Sequence, residues 1–164
     1  MLRVHSLQTL GTLDGPGVRF VVFTQGCPLR CACCHNPDTW DTKGGREMTA
    51  VELVQKWLLY QEYFGAEGGI TVSGGEPLMQ ADAVRELFEL CHSSGINTCL
   101  DTSGCILSED TKKLLSVTDR VLLEIKYTNP EDYLLYTKWE MPSVMEFLSY
   151  LNYQNIPTTL RQVL

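Results

Sequence analysis

The sequence predicts an α/β fold, a partial parallel (β/α) barrel, from two features of its pattern. Runs of β-branched and aromatic residues alternate with amphipathic stretches over short connections. That alternation is the signature of βαβ units and a parallel sheet. Each loop with chemically distinctive residues also follows the carboxyl end of a strand-like run. In a parallel barrel those ends share one face. They also converge at the switch point of a doubly wound sheet, so the pattern alone leaves that arrangement open.

The first buried strand is predicted over residues 18–24, VRFVVFT. After a cysteine-rich loop, residues 48–64 read as a helix, opened by a T-x-x-E capping box of Thr49 and Glu52 and closed by Gly65. Residues 70–73 form a second strand that runs into the Gly-rich loop SGGEP. Segment 81–94 is amphipathic, with Val84, Leu87, Phe88 and Cys91 on one stripe and Gly95 as its stop. INTCLDTSG, residues 96–104, is a third strand with a polar exit. Residues 108–116 form a short helix capped by Ser108, and RVLLEIK at 120–126 is the fourth strand. A helical turn covers 130–136. Another helix covers 143–154, with Ser143 and Glu146 as a second capping box. A fifth strand occupies 157–164.

The chain reads as a single domain over residues 1–164, without repeats or linkers. Its ending inside a strand would leave backbone groups unpaired. That is expected of the N-terminal part of a longer protein, truncated after the fifth strand; an open sheet completed by dimerisation is the alternative. The 44% hydrophobic and 20% charged composition is that of a globular protein with a real core. A net charge of −7 argues against nucleic acid as a partner, since counterion release needs a basic face. No apolar run reaches membrane-spanning length and the first residues do not read as a signal peptide, so a cytoplasmic location with no membrane association is expected. The seven cysteines are odd in number and clustered, which suggests a metal site rather than a disulfide framework.

GCPLRCACCHNP, residues 26–37, holds Cys27, Cys31 and Cys34 in the spacing C-x3-C-x2-C. Three thiolates on one loop can wrap a single inorganic centre. A structural zinc normally takes four protein ligands from two separated pairs, and ferredoxin-type clusters also take four cysteines. Three ligands leave one metal position open for chemistry. A Cys3His zinc site completed by His35 is the alternative, made awkward by its adjacency to Cys34. Cys33 neighbours Cys34 and reads as a bystander. Gly26 permits a tight turn into the loop, and Pro28 and Pro37 stiffen it.

C-x3-C-x2-C after a first strand resembles the radical S-adenosylmethionine superfamily. GTLDGPGVRFVVFTQGCPLRCACCHNPDTWD, GGITVSGGEPLMQ and TCLDTSG together resemble its glycyl-radical-enzyme activating enzymes, most closely those of the formate-lyase type. The similarity spans roughly residues 9–161. It implies a radical S-adenosylmethionine barrel in which Cys27, Cys31 and Cys34 hold a 4Fe-4S cluster, with the fourth iron left for S-adenosyl-L-methionine. One electron would break the cofactor's carbon–sulfur bond, giving methionine and a 5′-deoxyadenosyl radical. That radical would take a hydrogen atom from a glycine Cα of a glycyl radical enzyme. A flavodoxin or ferredoxin is the implied electron donor.

The resemblance also implies roles elsewhere. Gly74, Gly75 and Glu76 would meet the methionyl amine, where an isolated GGE would be a turn with a solvated Glu. Asp101 would contact the cofactor and share a monovalent cation site with Glu124; a turn cap is its bland alternative. Glu124 and Lys126 lie on one face of their strand, and such charges are costly to bury unless paired. Lys126 would face the cofactor carboxylate, Asn36 would border the cofactor, and the backbone of Cys33 would approach the adenine. Arg161 matches an arginine close to the site. Cys91 and Cys99 read as core residues, and Cys105 carries no assignment. The rival readings are an activating protein for anaerobic ribonucleotide reductase and a non-catalytic structural metal-binding module.

Overall fold

The computed structural model describes residues 1–162. Its seven-stranded sheet has the order β3-β1-β2-β4-β5-β6-β7. The strands are β1 (Leu2–Gly11), β2 (Arg19–Thr24), β3 (Arg46–Met48), β4 (Gly69–Gly74), β5 (Asn97–Thr102), β6 (Arg120–Glu124) and β7 (Thr158–Arg161). From β2 through β7 every pairing is parallel, and these are the five strands the alternation predicts. This mostly parallel, helix-flanked sheet is consistent with a partial barrel. Val163 and Leu164 of the expected fifth strand lie outside the described residues.

Two strands were not anticipated. β1 runs antiparallel to β2 and carries β3 on its other side, also antiparallel. The register of β1 against β2 shifts between Val4 and Ser6 and again between Gln8 and Gly11. Those irregularities break the strict alternation that marks a strand in sequence.

The helices are α1 (Ala50–Leu58), α2 (Ala81–Ser93), α3 (Glu109–Leu115), α4 (Pro130–Thr137) and α5 (Met141–Tyr153). The Thr49–Glu52 capping box forms: the Thr49 side chain accepts from the Glu52 N–H while Glu52 accepts from the Thr49 N–H at 2.7 Å. α1 ends at Leu58, well before Gly65. A 3-10 turn at Gln61–Tyr63 follows, and Trp57 stacks on Phe64 with ring centroids 5.1 Å apart. Ser108 caps α3 as expected. The second capping box does not form. α5 starts at Met141, with Pro142 fitting its first turn, and the Ser143 hydroxyl is engaged by Glu140 O and Trp139 Nε1. The turn at 130–136 is a full helix capped by Asn129.

Period-two alternation divides the sheet's residues between two faces. Phe20, Val22, Ile70, Val72, Leu100, Val121 and Leu123 join Leu53, Leu87, Phe88, Val144 and Phe147 from the helices in one buried core. The opposite face presents Arg19, Thr71, Ser73, Cys99, Asp101 and Glu124 by the same alternation. Arg19 is fully buried near the amino ends of the parallel strands. It donates to Thr71 Oγ1, Asn97 Oδ1 and the carbonyls of Ile70 and Asn97. A charge there is tolerated because its donors are met by acceptors.

Candidate active site

One cavity of about 270 Å³ opens at the carboxyl ends of the parallel strands. Cys27, Cys31, Cys33, Cys34, His35, Asn36, Gly74, Gly75, Glu76, Asp101, Glu124, Lys126 and Arg161 all line it. Residues far apart in the chain meet there because each follows, or ends, a neighbouring parallel strand.

The cysteine loop is held from two directions. At its root, Gly26 N–H donates to Thr39 O at 2.7 Å. At its centre, the N–H groups of Arg30 and Ala32 donate to Thr137 O and Tyr136 O, each at 2.8 Å, so the end of α4 grips the backbone on both sides of Cys31. The Arg30 guanidinium lies over the Trp40 ring, 5.1 Å from its centroid, and donates to Cys27 O and Leu29 O. Leu29, Cys31 and Cys105 form a small buried cluster of their own, bordered by Cys27, Cys33, Cys34, Ile106 and Trp139. Cys105, unassigned from sequence, therefore lies against the loop. Cys91 and Cys99 are fully buried, as expected.

All seven cysteines are free thiols. Burial, with Glu76 adding to it, pushes the Cys27 thiol up to about 12; burial pushes Cys31 up to about 11 against the pull of Lys126. These thiols are protonated in the protein alone, and a metal centre would bind them as thiolates with release of protons. Among the described residues, no group of three His, Cys, Asp or Glu side chains converges as a single metal ion requires.

The SGGEP loop docks on the root of the cysteine loop. Gly75 N–H donates to Thr24 O and Glu76 N–H to Gly26 O. Both glycines line the cavity, and the chain's own backbone also comes close to each of them. A Cβ on Gly74, whose φ is +109°, would sit 2.2 Å from Thr24 N, and one on Gly75 would sit 2.2 Å from Gly26 O. Glu76 is 1% exposed rather than a solvated turn residue. Its carboxylate accepts from Leu78 N, Thr102 Oγ1, Ser103 N and Ser103 Oγ, tying the β4 loop to the β5 loop.

The ends of β5, β6 and β7 bring two acids and two bases together. Ser73 Oγ donates to Asp101 Oδ2 at 2.8 Å. Glu124 accepts from Lys126 Nζ at 2.8 Å and pairs with Arg161 Nε at 3.0 Å. Arg161 Nη1 lies 3.7 Å from Asp101 Oδ2. Burial, with the nearby Glu124 charge, pushes Asp101 up to about 6. Lys126 is pulled down by burial, but Glu124 overrides this and holds its ammonium above the usual range. Among the described residues, Asp101 Oδ1 and Arg161 Nη1 are buried without a hydrogen-bond partner, so the cavity wall has unused donor and acceptor capacity.

Asp14 lines the cavity but was not singled out from sequence. Its carbonyl accepts from Thr71 Oγ1 at 2.7 Å, which folds the β1–β2 connection onto the inner face. The DGPG turn was visible; its inward course depends on β1, which was not. Trp40, Ser73, Thr102 and Ser103 also line the cavity unassigned.

Residues 13–142 match the family described as a 4Fe-4S single cluster domain. The pyruvate formate-lyase-activating enzyme of Listeria monocytogenes serovar 1/2a is 44% identical, covering 99% of this chain and 68% of its own length. The pyruvate formate-lyase 1-activating enzyme of Escherichia coli strain K12 is 43% identical over 98% of this chain and 67% of its own. Streptococcus suis SuiB bound to S-adenosylmethionine superposes with a TM-score of 0.66 at 15% identity, over 83% of this chain and 31% of that one. At that identity the likeness speaks for the fold.

Proposed function

This chain belongs to the pyruvate formate-lyase-activating enzyme family and carries a 4Fe-4S single cluster domain, and we propose that it activates a glycyl radical enzyme by radical S-adenosylmethionine chemistry. The chemistry supplied by the bound cluster and S-adenosylmethionine is one-electron cleavage of a carbon–sulfur bond, ending in removal of a hydrogen atom from a glycine Cα of the partner. The observation that carries this reading is the meeting of the three spaced thiols with Glu76, Asp101, Lys126 and Arg161 in one cavity.

The residues present fit both groups. Cys27, Cys31 and Cys34 are the thiols that would hold the cluster, and three protein ligands leave one iron for the cofactor. The unpartnered Asp101 Oδ1 and Arg161 Nη1 give the wall polar capacity that a zwitterionic ligand would take up. Lys126 serves as the cationic partner of a ligand carboxylate, sharing its donors with Glu124. Gly74 and Gly75 line the side proposed for the ligand amine, and the carboxylate of Glu76, already accepting from Leu78, Thr102 and Ser103, holds their loop in place. Cys33 and Asn36 border the adenosyl end.

Asp101 and Glu124 form a carboxylate pair for a monovalent cation; the raised Asp101 carboxyl supports this, because a cation there would relieve the repulsion. A flavodoxin or ferredoxin supplies the electron. No helix among the described residues is long and apolar enough to cross a membrane, and we place the activity in the cytoplasm.

The test is anaerobic reconstitution with iron and sulfide, reduction, and mixing with pyruvate formate-lyase or with anaerobic ribonucleotide reductase. A glycyl radical seen by electron spin resonance with the first and not the second is expected. A radical formed only on the reductase would replace this assignment with the rival activating protein. Stoichiometric zinc in place of iron would leave a structural module.

A further inference from the structure

Asp101 and Arg161 both line the cavity, and among the described residues Asp101 Oδ1 and Arg161 Nη1 are each buried without a hydrogen-bond partner. They carry opposite charges and stand close, with Arg161 Nη1 3.7 Å from Asp101 Oδ2. A guanidinium and a carboxylate that are free to move close to about 2.8 Å and satisfy each other. This pair stays open because each member is tied from another side. Glu124 Oε1 holds Arg161 Nε at 3.0 Å. Ser73 Oγ donates at 2.8 Å to Asp101 Oδ2, the same oxygen that Arg161 approaches.

The serine is itself fixed. Ser73 is buried and lines the cavity. It follows Val72, which pairs with Leu100 in the parallel register of β4 and β5, so it stands beside Asp101 on the inner face. Its carbonyl accepts from Thr24 Oγ1 at 3.0 Å, which locks the end of β4 onto β2.

We propose that Ser73 is a positioning residue that holds the Asp101 carboxylate off Arg161, keeping Asp101 Oδ1 and Arg161 Nη1 available to the charged methionyl end of S-adenosyl-L-methionine. That end carries an ammonium donor and a carboxylate acceptor, the partners these two atoms lack. With the hydroxyl removed, the carboxylate swings onto the guanidinium, and a ligand must break that ion pair before it binds. Ser73 acts through Asp101 and makes no contact of its own with the ligand. The proposal rests on the reading of this cavity as the cofactor site.

The experiment measures equilibrium binding of S-adenosyl-L-methionine to the anaerobically reconstituted chain with its cluster oxidised, so that none is cleaved. The unsubstituted chain, Ser73→Ala, Asp101→Ala and the double variant form a double-mutant cycle. Iron and sulfide are counted first. An unsubstituted chain without a four-iron cluster, or an Asp101→Ala protein that binds as tightly as the parent, overturns the site reading and this proposal together. Ser73→Ala is expected to weaken binding about tenfold when Asp101 is present, the worth of one hydrogen bond to a charged partner, and to change nothing once Asp101 is gone. Equal weakening in both backgrounds means that Ser73 touches the ligand or only supports the fold; it overturns the proposal and leaves the cofactor site intact. Unweakened binding by Ser73→Ala with Asp101 present does the same. Should Ser73→Ala fail to take up the cluster, Ser73→Cys decides by the same comparison, since a thiol occupies the place of the hydroxyl but donates only weakly.

Discussion

Lys126 Nζ donates to Glu124 Oε2 at 2.8 Å, joining two charges at the end of β6 that stand two residues apart on one face. Arg161 takes the other Glu124 oxygen at 3.0 Å. The carboxylate is thus bracketed by two cations, and its charge is compensated where burial would otherwise be prohibitive. Asp101 has no comparable bracket, since its nearest cation is 3.7 Å away.

Glu124→Gln should lower the Asp101 pKa. Glu124 is the largest charge holding it up, after burial itself. Removing that charge moves the Asp101 titration from about 6 toward the ordinary carboxylate range, read by carbon NMR of the carboxyl group. An unmoved titration would mean that burial alone sets the value.

Asp101→Asn should stabilise the metal-free protein at neutral pH. With the native pKa raised to about 6 from an ordinary 3.8, the unfolded chain binds fewer protons between those values. The contribution of Asp101 to stability is therefore most favourable below pH 4, falls as pH rises to about 6, and is flat above. A shift of about two units corresponds to at most about 3 kcal/mol. The variant lacks that loss, so its melting temperature at pH 7 should exceed that of the parent by several degrees, with the gap closing toward pH 4. Parallel melting-temperature profiles from pH 4 to 8 would refute this.

Gly75→Ala should disturb the cysteine loop without touching a thiol. The added methyl would meet Gly26 O at 2.2 Å, which only a backbone shift can relieve. A loss of about 1–3 kcal/mol is expected, with impaired iron uptake. Urea unfolding and iron assay check both; normal iron content at reduced stability would separate the loop's position from cluster binding.

Replacing cysteines one at a time should sort ligand from bystander. Cys27→Ala and Cys34→Ala should abolish reductive cleavage of S-adenosylmethionine, measured as methionine release after anaerobic reconstitution. Cys33→Ala should keep the cluster and retain cleavage, because its neighbour already supplies the ligand. A Cys33→Ala protein without iron, beside an iron-loaded Cys34→Ala, would exchange the two assignments.

Much of the architecture was legible in local pattern. The Thr49 box, the Ser108 cap and the stop at Gly95 rest on contacts between near neighbours in the chain, and the five parallel strands show as β-branched and apolar runs. Ser143 failed as a cap because Trp139 and Glu140 compete for its hydroxyl, a contest its own four-residue motif cannot register. β1 went unseen because its irregular register depends on the partner strand, and β3 because three residues are too few to display a pattern.

The order of residues alone settled which thiols, acids and bases would gather, since parallel strands deliver their carboxyl ends to one place whatever the details of packing. Folding decided what each does on arrival. The two glycines of SGGEP meet the chain's own backbone, Asp14 turns inward, and Arg161 brackets Glu124. Each of these is a close approach between segments distant in the chain, and steric fit, charge pairing and desolvation over such distances have no periodicity for a sequence to display.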